Sequence, residues 1–284
     1  RCIPAKKHTM IISRIDTVIV VGFLILVQGT GALAGFWLPA IAPEVGESLG
    51  LSPSLIAYPV LILYIFAMIS SLMAGGFVAR FGAWRASQAA LILIGISHLM
   101  FMNGSLIFLA VGSIILGGAY GLLTPPASHL LSKIVTAKNR NLIFSIRFTG
   151  VPLGGILAGL LAPSVALEYG WRESMLVTVV ISVVIAVAMQ PLRKRWDGDR
   201  SKEAKIIRNP ISDICLVWKL SALKWVALSG LCMGAVQTTL TTYTVTMLVE
   251  DVNYSLVAAG IGLSAIQLAS VFGRVGWGWF ADRI

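Results

Sequence analysis

The sequence predicts an all-α polytopic membrane protein, and three observations lead there. Hydrophobic residues fill 57% of the 284 positions and charged residues only 12%, with a mean hydropathy of +0.87. A water-soluble domain carries about twice that charged fraction. The apolar residues gather into eight runs long enough to cross a bilayer, because ~20 residues at about 1.5 Å rise span a ~30 Å hydrocarbon core. Lys and Arg, third, fall almost entirely on alternate connections between those runs. The runs must be helices, since open strands in lipid leave backbone groups unpaired.

Taken in order, the first run covers 17–41. Lys6, Lys7 and Arg14 precede it and Ala32-Leu33-Ala34 lies inside it, a pattern shared with signal peptides. The run continues to Ile41 and seven more follow, so a retained helix is expected. The second (54–79) stops at Arg80, and the third (86–102) follows Arg85 and closes at Asn103-Gly104. The fourth (105–131) ends before Lys133. The fifth (141–166) follows Asn139-Arg140 and closes at Glu168-Tyr169-Gly170, and the sixth (173–191) runs into a dense charge cluster from Arg193 to Arg200. The seventh (222–248) and eighth (256–280) flank Glu250 and Asp251. This divides the chain into a six-helix bundle (1–191), a cytoplasmic central loop (192–220) and the first two helices of an incomplete second bundle (221–284). The chain lacks an initial Met and stops just after the eighth run, so a further set of helices is expected.

Charge orients the bundle. With the amino terminus inside, the inside segments hold Arg1, Lys6, Lys7, Arg14, Arg80, Arg85, Lys133, Lys138 and Arg140. They continue with Arg193, Lys194, Arg195, Arg200, Lys202, Lys205, Arg208 and Arg283, making seventeen of the 22 Lys and Arg. Outside loops hold Arg172 alone, against Glu44, Glu47, Glu168, Glu173, Glu250 and Asp251. Such asymmetry follows the positive-inside rule and predicts an integral protein of the plasma (inner) membrane with a cytoplasmic amino terminus. The net charge of +10 then needs only anionic membrane lipid as its partner, and no nucleic acid. Cys2, Cys215 and Cys232 have neither metal-ligand nor disulfide spacing, and no cofactor or metal site is expected.

A short pattern occurs twice. Gly75, Ala79, Arg80, Gly82, Trp84 and Arg85 follow the second run; Gly278, Asp282 and Arg283 follow the eighth, six spans later. Both fit Gly-x-x-x-(Asp/Ala)-Arg at an inside helix end, and repeated six-helix halves mark duplicated transporters. In this the chain resembles the major facilitator superfamily, whose loop between helices two and three carries Gly-x-x-x-Asp-Arg-x-Gly-Arg-Arg. The resemblance implies a major facilitator fold with eight of an expected twelve transmembrane helices, and a gating role for these residues. Ala79 replaces the family's Asp and Trp84 one of its Arg residues, which bears on the first latch. Gly117 to Pro126 and Asn139 to Gly155 further resemble the cyanate and nitroimidazole branch, itself similar to the oxalate–formate and monocarboxylate carriers. That branch is expected to carry Lys-Gln where this chain has Arg147-Phe148.

Charges inside a bilayer mark pathways by default. Arg147 and Arg274 each lie about 10–12 Å from the inside surface at helical rise. Each is either a pathway residue or a side chain snorkelling to the interface. Ser264, Gln267, Ser270 and Arg274 form one polar stripe, which must face protein or water. In carboxylate carriers of the resembled superfamily a span-eight arginine engages the substrate anion, and Arg274 is similarly placed. Gln28, Gln237, Thr241 and Thr244 add hydrogen-bonding capacity near mid-span, either to a ligand or between helices. Tyr120 is a ligand contact or a packing residue; His98 and His129 are proton relays or satisfied histidines. Glycine pairs 31/35, 117/121, 150/154, 155/159 and 230/234 have close-packing spacing.

No phosphate-cradling loop or nucleophile–base pair appears in the sequence, so no enzymatic activity is expected. The reading is a secondary active carrier of a small solute, an organic or inorganic anion, working by alternating access with a coupling proton or counter-anion. A neutral-solute or drug efflux carrier and, in a different class, an intramembrane enzyme are the alternatives.

Overall fold

The computed structural model describes residues 14–136, 139–201, 203–206, 215 and 218–283. Arg1, Cys2, Lys6, Lys7, Lys138, Lys202 and Arg208 of the sequence reading lie outside them. Among the described residues the chain is helical throughout, without strands. The helices are α1 (Arg14–Ala40), α2 (Ala42–Leu49), α3 (Ala57–Phe81), α4 (Ala83–Phe101), α5 (Leu106–Gly121) and α6 (Thr124–Ile134). They continue as α7 (Arg140–Phe148), α8 (Gly150–Tyr169), α9 (Trp171–Ala188), the short α10 (Arg193–Trp196), α11 (Ser221–Glu250) and α12 (Leu256–Ala281).

Among the described residues, six helical segments are long and apolar enough to cross a membrane. They correspond to the first, second, fourth, fifth, sixth and eighth expected runs. The third and seventh are the helices α4 and α11, with 19 and 30 residues. Their more polar composition, which includes Arg85, Gln88 and His98 in α4 and Lys224, Gln237 and a series of threonines in α11, keeps them below that level.

Two runs expected as single helices are broken. The fourth divides after Gly121 and the fifth after Phe148. Proline explains both, because its ring excludes the carbonyl four residues back and it donates no hydrogen bond. Pro125 stands four residues after Gly121, and Pro152 four after Phe148. Pro163 in α8 and Pro39 in α1, by contrast, lie inside helices that continue past them.

Small residues set the packing. α1 lies against α8, α3 against α5, and α8 also against α12. At Gly154 the Gly29 carbonyl of α1 occupies the space a Cβ would need, and at Gly150 the Ile25 carbonyl does the same. On the opposite side of α8, Gly159 and Gly260 exclude one another's Cβ reciprocally. Gly117 and Gly121 of α5 meet the α3 backbone at Leu63 and Ala67. Gly230 and Gly234, by contrast, meet open space, so the spacing of that pair serves no crossing among the described residues. The rim of the bundle exposes large apolar side chains such as Val18, Ile107, Val187 and Phe272, as a lipid-facing surface requires.

Candidate functional site

A cavity of about 610 Å³ opens between α7, α11 and α12. α7 contributes Ser145 and Phe148 at the proline break. α11 contributes Met233, Val236, Gln237, Leu240 and Thr241, and α12 contributes Ile266, Gln267, Ser270, Gly273, Arg274 and Trp277. Both sets recur every three or four residues, one face of each helix.

Arg274 is half-buried on this wall, and its Nε donates to Ser270 Oγ at 3.3 Å. Among the described residues no acidic side chain lines the cavity and no carboxylate pairs with Arg274. Gln267 is 2% exposed. Its Nε2 has no hydrogen-bond partner and lies against Gly155. A guanidinium offers a planar fork of donors that fits carboxylate or phosphate oxygens. Gln237 and Thr241 line the cavity beside it, the Thr241 hydroxyl donating to the Gln237 carbonyl at 2.9 Å, and Phe148, Leu240 and Trp277 supply apolar surface.

The structure thus gathers Arg274, Gln237 and Gln267 of the expected substrate residues. Arg147 and Gln28 form a separate buried pair: Arg147 Nη2 donates to Gln28 Oε1 at 2.6 Å and to the Leu123 carbonyl at 3.0 Å. Arg147 is only 1% exposed, so it does not snorkel to an interface. Tyr120 lines neither group; its ring packs on Gly35 and edge-on to Tyr64, with centroids 6.1 Å apart. Buried His98 meets Ser97 and the Ile94 carbonyl through Nδ1. Sequence reasoning missed Phe148 and Trp277, apolar residues whose faces only the helix crossing fixes.

At the basic end, two carboxylates sit over helix amino termini. Asp282 accepts from the backbone N–H groups of Asn141 (3.0 Å) and Leu142 (2.8 Å), opening α7. Asp197 accepts from those of Trp84 (2.8 Å) and Arg85 (3.1 Å), opening α4. Anions are favoured there by the unpaired N–H groups and the helix dipole. Gly82, at φ 95°, packs against the Asp197 carboxylate, where a side chain would collide. Burial pushes the Asp197 carboxyl above the usual range, while the two N–H groups and Arg193 pull it back.

The other motif residues have distinct surroundings. A side chain at Gly75 would meet open space, whereas Gly76 is covered by the backbone of 205–206. Arg80 lies 5.9 Å from the Phe81 ring, Arg85 reaches Gln190 at 3.4 Å, and Arg283 lies 3.7 Å from the Trp279 ring. Gly278 packs on Ser145 of α7. The segment after α9 is bound down as well. Trp196 is buried and stacks on Trp84, Asp199 meets His129 (2.7 Å) and Lys133 (2.8 Å), and Ser201 N donates to the Ala79 carbonyl at 2.9 Å. Partial burial raises the Asp199 carboxyl, but Lys133 and His129 outweigh it and hold the group below the usual range.

Residues 20–284 match the sequence profile of the Major Facilitator Superfamily. A probable hexose phosphate transport protein of Chlamydia trachomatis is 25% identical over 251 residues, 78% of this chain and 55% of that protein. A gallate transporter of Pseudomonas putida is 29% identical over 151 residues, 51% of this chain and 32% of that protein. The chain therefore spans about half, or less, of the length of these relatives. A crystal structure of the peptide transporter POT in complex with alafosfalin superposes with a TM-score of 0.53 at 21% identity, covering 78% of this chain and 46% of that one. At that identity the likeness concerns the fold.

Proposed function

Because the chain belongs to the Major Facilitator Superfamily and is an integral membrane protein, we propose that it forms part of a secondary active carrier moving a small anion by alternating access. The observation that carries this reading is Arg274, a half-buried guanidinium on the wall of the cavity with no acidic partner among the described residues. A charge held within a span is costly and is retained where a ligand uses it. Gln237, Gln267 and Thr241 orient the solute, and the apolar wall favours an organic anion. The names of two relatives, hexose phosphate and gallate carriers, support the same class, since both solutes are anions at neutral pH. The polar groups around the cavity are amides, hydroxyls and a guanidinium, which suit binding better than bond cleavage.

In this proposal the protein has twelve spans in two six-helix halves, of which this chain supplies eight. The basic end faces the cytoplasm together with the amino terminus. Gly278, Asp282 and Arg283, with Gly75, Arg80, Gly82 and Arg85, act in the cytoplasmic gate. A coupling proton or counter-anion drives transport. Uptake of radiolabelled gallate, glucose 6-phosphate and a neutral hexose into proteoliposomes holding the full-length protein tests the solute class: saturable flux of an anion supports it, and flux of the neutral solute alone opposes it.

A further inference from the structure

Arg147 presents a problem the cavity alone leaves unanswered. Its Nε and Nη1 have no hydrogen-bond partner, its Nη2 meets only the neutral oxygens of Gln28 and Leu123, and among the described residues no carboxylate forms an ion pair with it. An uncompensated charge buried in a membrane protein is strongly unfavourable. We propose that Arg147 is a second station for the transported oxyanion, shut off from the Arg274 cavity by Phe148. This rests on the anion reading of the cavity and extends it.

At 1% exposure, Arg147 is already surrounded by described residues, so a compensating anion must arrive through a space that opens beside it. Phe148 touches both sides of that boundary: its ring lines the cavity, and its centroid lies 4.5 Å from Arg147 Cζ. The backbone there suits movement. Phe148 is the last residue of α7, and Pro152, four residues on, donates no hydrogen bond back to its carbonyl. Swinging the Phe148 ring aside joins the cavity to the guanidinium and offers two unused donors to an oxyanion. Gln28 and the Leu123 carbonyl hold the third nitrogen and fix the plane. Carboxylate and phosphate share the required chemistry, planar or tetrahedral oxygens carrying negative charge.

Arginine modification mapped by mass spectrometry tests this in the reconstituted full-length protein. Phenylglyoxal is the reagent, with gallate and inorganic phosphate as protecting anions in separate arms. In the wild type Arg274 should be modified quickly and Arg147 many times more slowly, at the rate at which the Phe148 ring swings aside. In Phe148→Ala, or Phe148→Leu if the alanine variant does not fold, modification of Arg147 should quicken. The anion that shields Arg274 should then shield Arg147, and should still do so in the Phe148→Ala/Arg274→Gln double variant. Arg147 modified no faster in either Phe148 variant overturns the proposal, as does modification that neither anion slows or protection lost with Arg274. In those cases a shielded Arg274 keeps the cavity reading intact. If neither anion shields Arg274, the cavity reading itself fails and takes the second station with it.

Discussion

Asp197 and Trp84 lie 113 residues apart in the chain, yet Asp197 Oδ1 accepts the Trp84 backbone N–H at 2.8 Å. The contact brings a carboxylate to the start of α4, three residues after the Gly-x-x-x-Ala-Arg pattern in which Ala79 stands for the family's Asp. The next residue, Trp84, sends its indole N–H to the Met189 carbonyl at 2.7 Å and stacks on Trp196. Asp197 and Trp196 thus fasten the segment after α9 onto the basic ends of α3 and α4.

Removing that carboxylate should loosen the basic end. Asp197→Ala leaves the Trp84 and Arg85 N–H groups without their acceptor and should cost about 1–2 kcal/mol. Asp197→Asn keeps one of the two acceptor oxygens and should cost about half as much. Thermal unfolding of the purified protein in detergent measures both, and unchanged midpoints would dismiss the capping role.

Asp199 gives a pH signature of opposite sign to Asp197. Its folded-state carboxyl is held low, so its contribution to stability is complete above the ordinary carboxylate range and is lost as pH falls through the depressed value. Asp197 is raised; ionising it costs more in the fold than in the unfolded chain, so its contribution declines as pH climbs through that interval. Replacing Asp199 by Asn should therefore flatten the acid limb of a stability-against-pH curve, while Asp197→Asn should not. An unchanged acid limb in Asp199→Asn would contradict the assignment.

Much of the fold was legible because lipid leaves few choices: a long apolar run must be a helix, and its boundaries fall at charge or glycine. The two mid-run breaks were legible too, in Pro125 and Pro152, but the proline signal was outweighed by continuous hydropathy. Arg274, Gln267 and Gln237 could be grouped in advance because helical spacing puts each on one polar face. Asp197 could not, because its partner lies in a distant helix end and a charged loop carries no pattern that names it. Gly75 was singled out by the motif, although its neighbour Gly76 is the residue the packing constrains.

The second motif copy should act as a conformational latch. Asp282 holds the start of α7 through Asn141 and Leu142, joining the end of α12 to α7. Asp282→Asn should weaken this by about 1–3 kcal/mol and shift the balance of inward- and outward-open states without blocking insertion. Cysteine accessibility on the two sides of the cavity reads the balance; equal accessibility and equal transport in variant and wild type would reduce Asp282 to a topological charge.

Orientation has its own check. Single-cysteine variants at Gly104, in the turn after α4, and Gly198, in the segment after α10, should differ in labelling by an impermeant maleimide added to intact cells. Gly104 should label and Gly198 should not. Equal labelling of the two would refute a cytoplasmic basic end.

Anion flux through Arg274 variants tests most directly whether Arg274 binds the negative charge of the transported solute. Arg274→Lys keeps the charge but loses the fork, and should weaken apparent affinity by ~1–3 kcal/mol, roughly 5- to 150-fold. Arg274→Gln should insert normally and nearly abolish uptake of the anion by proteoliposomes. Wild-type rate and affinity in Arg274→Gln would contradict the claim and leave a neutral-solute carrier as the better description.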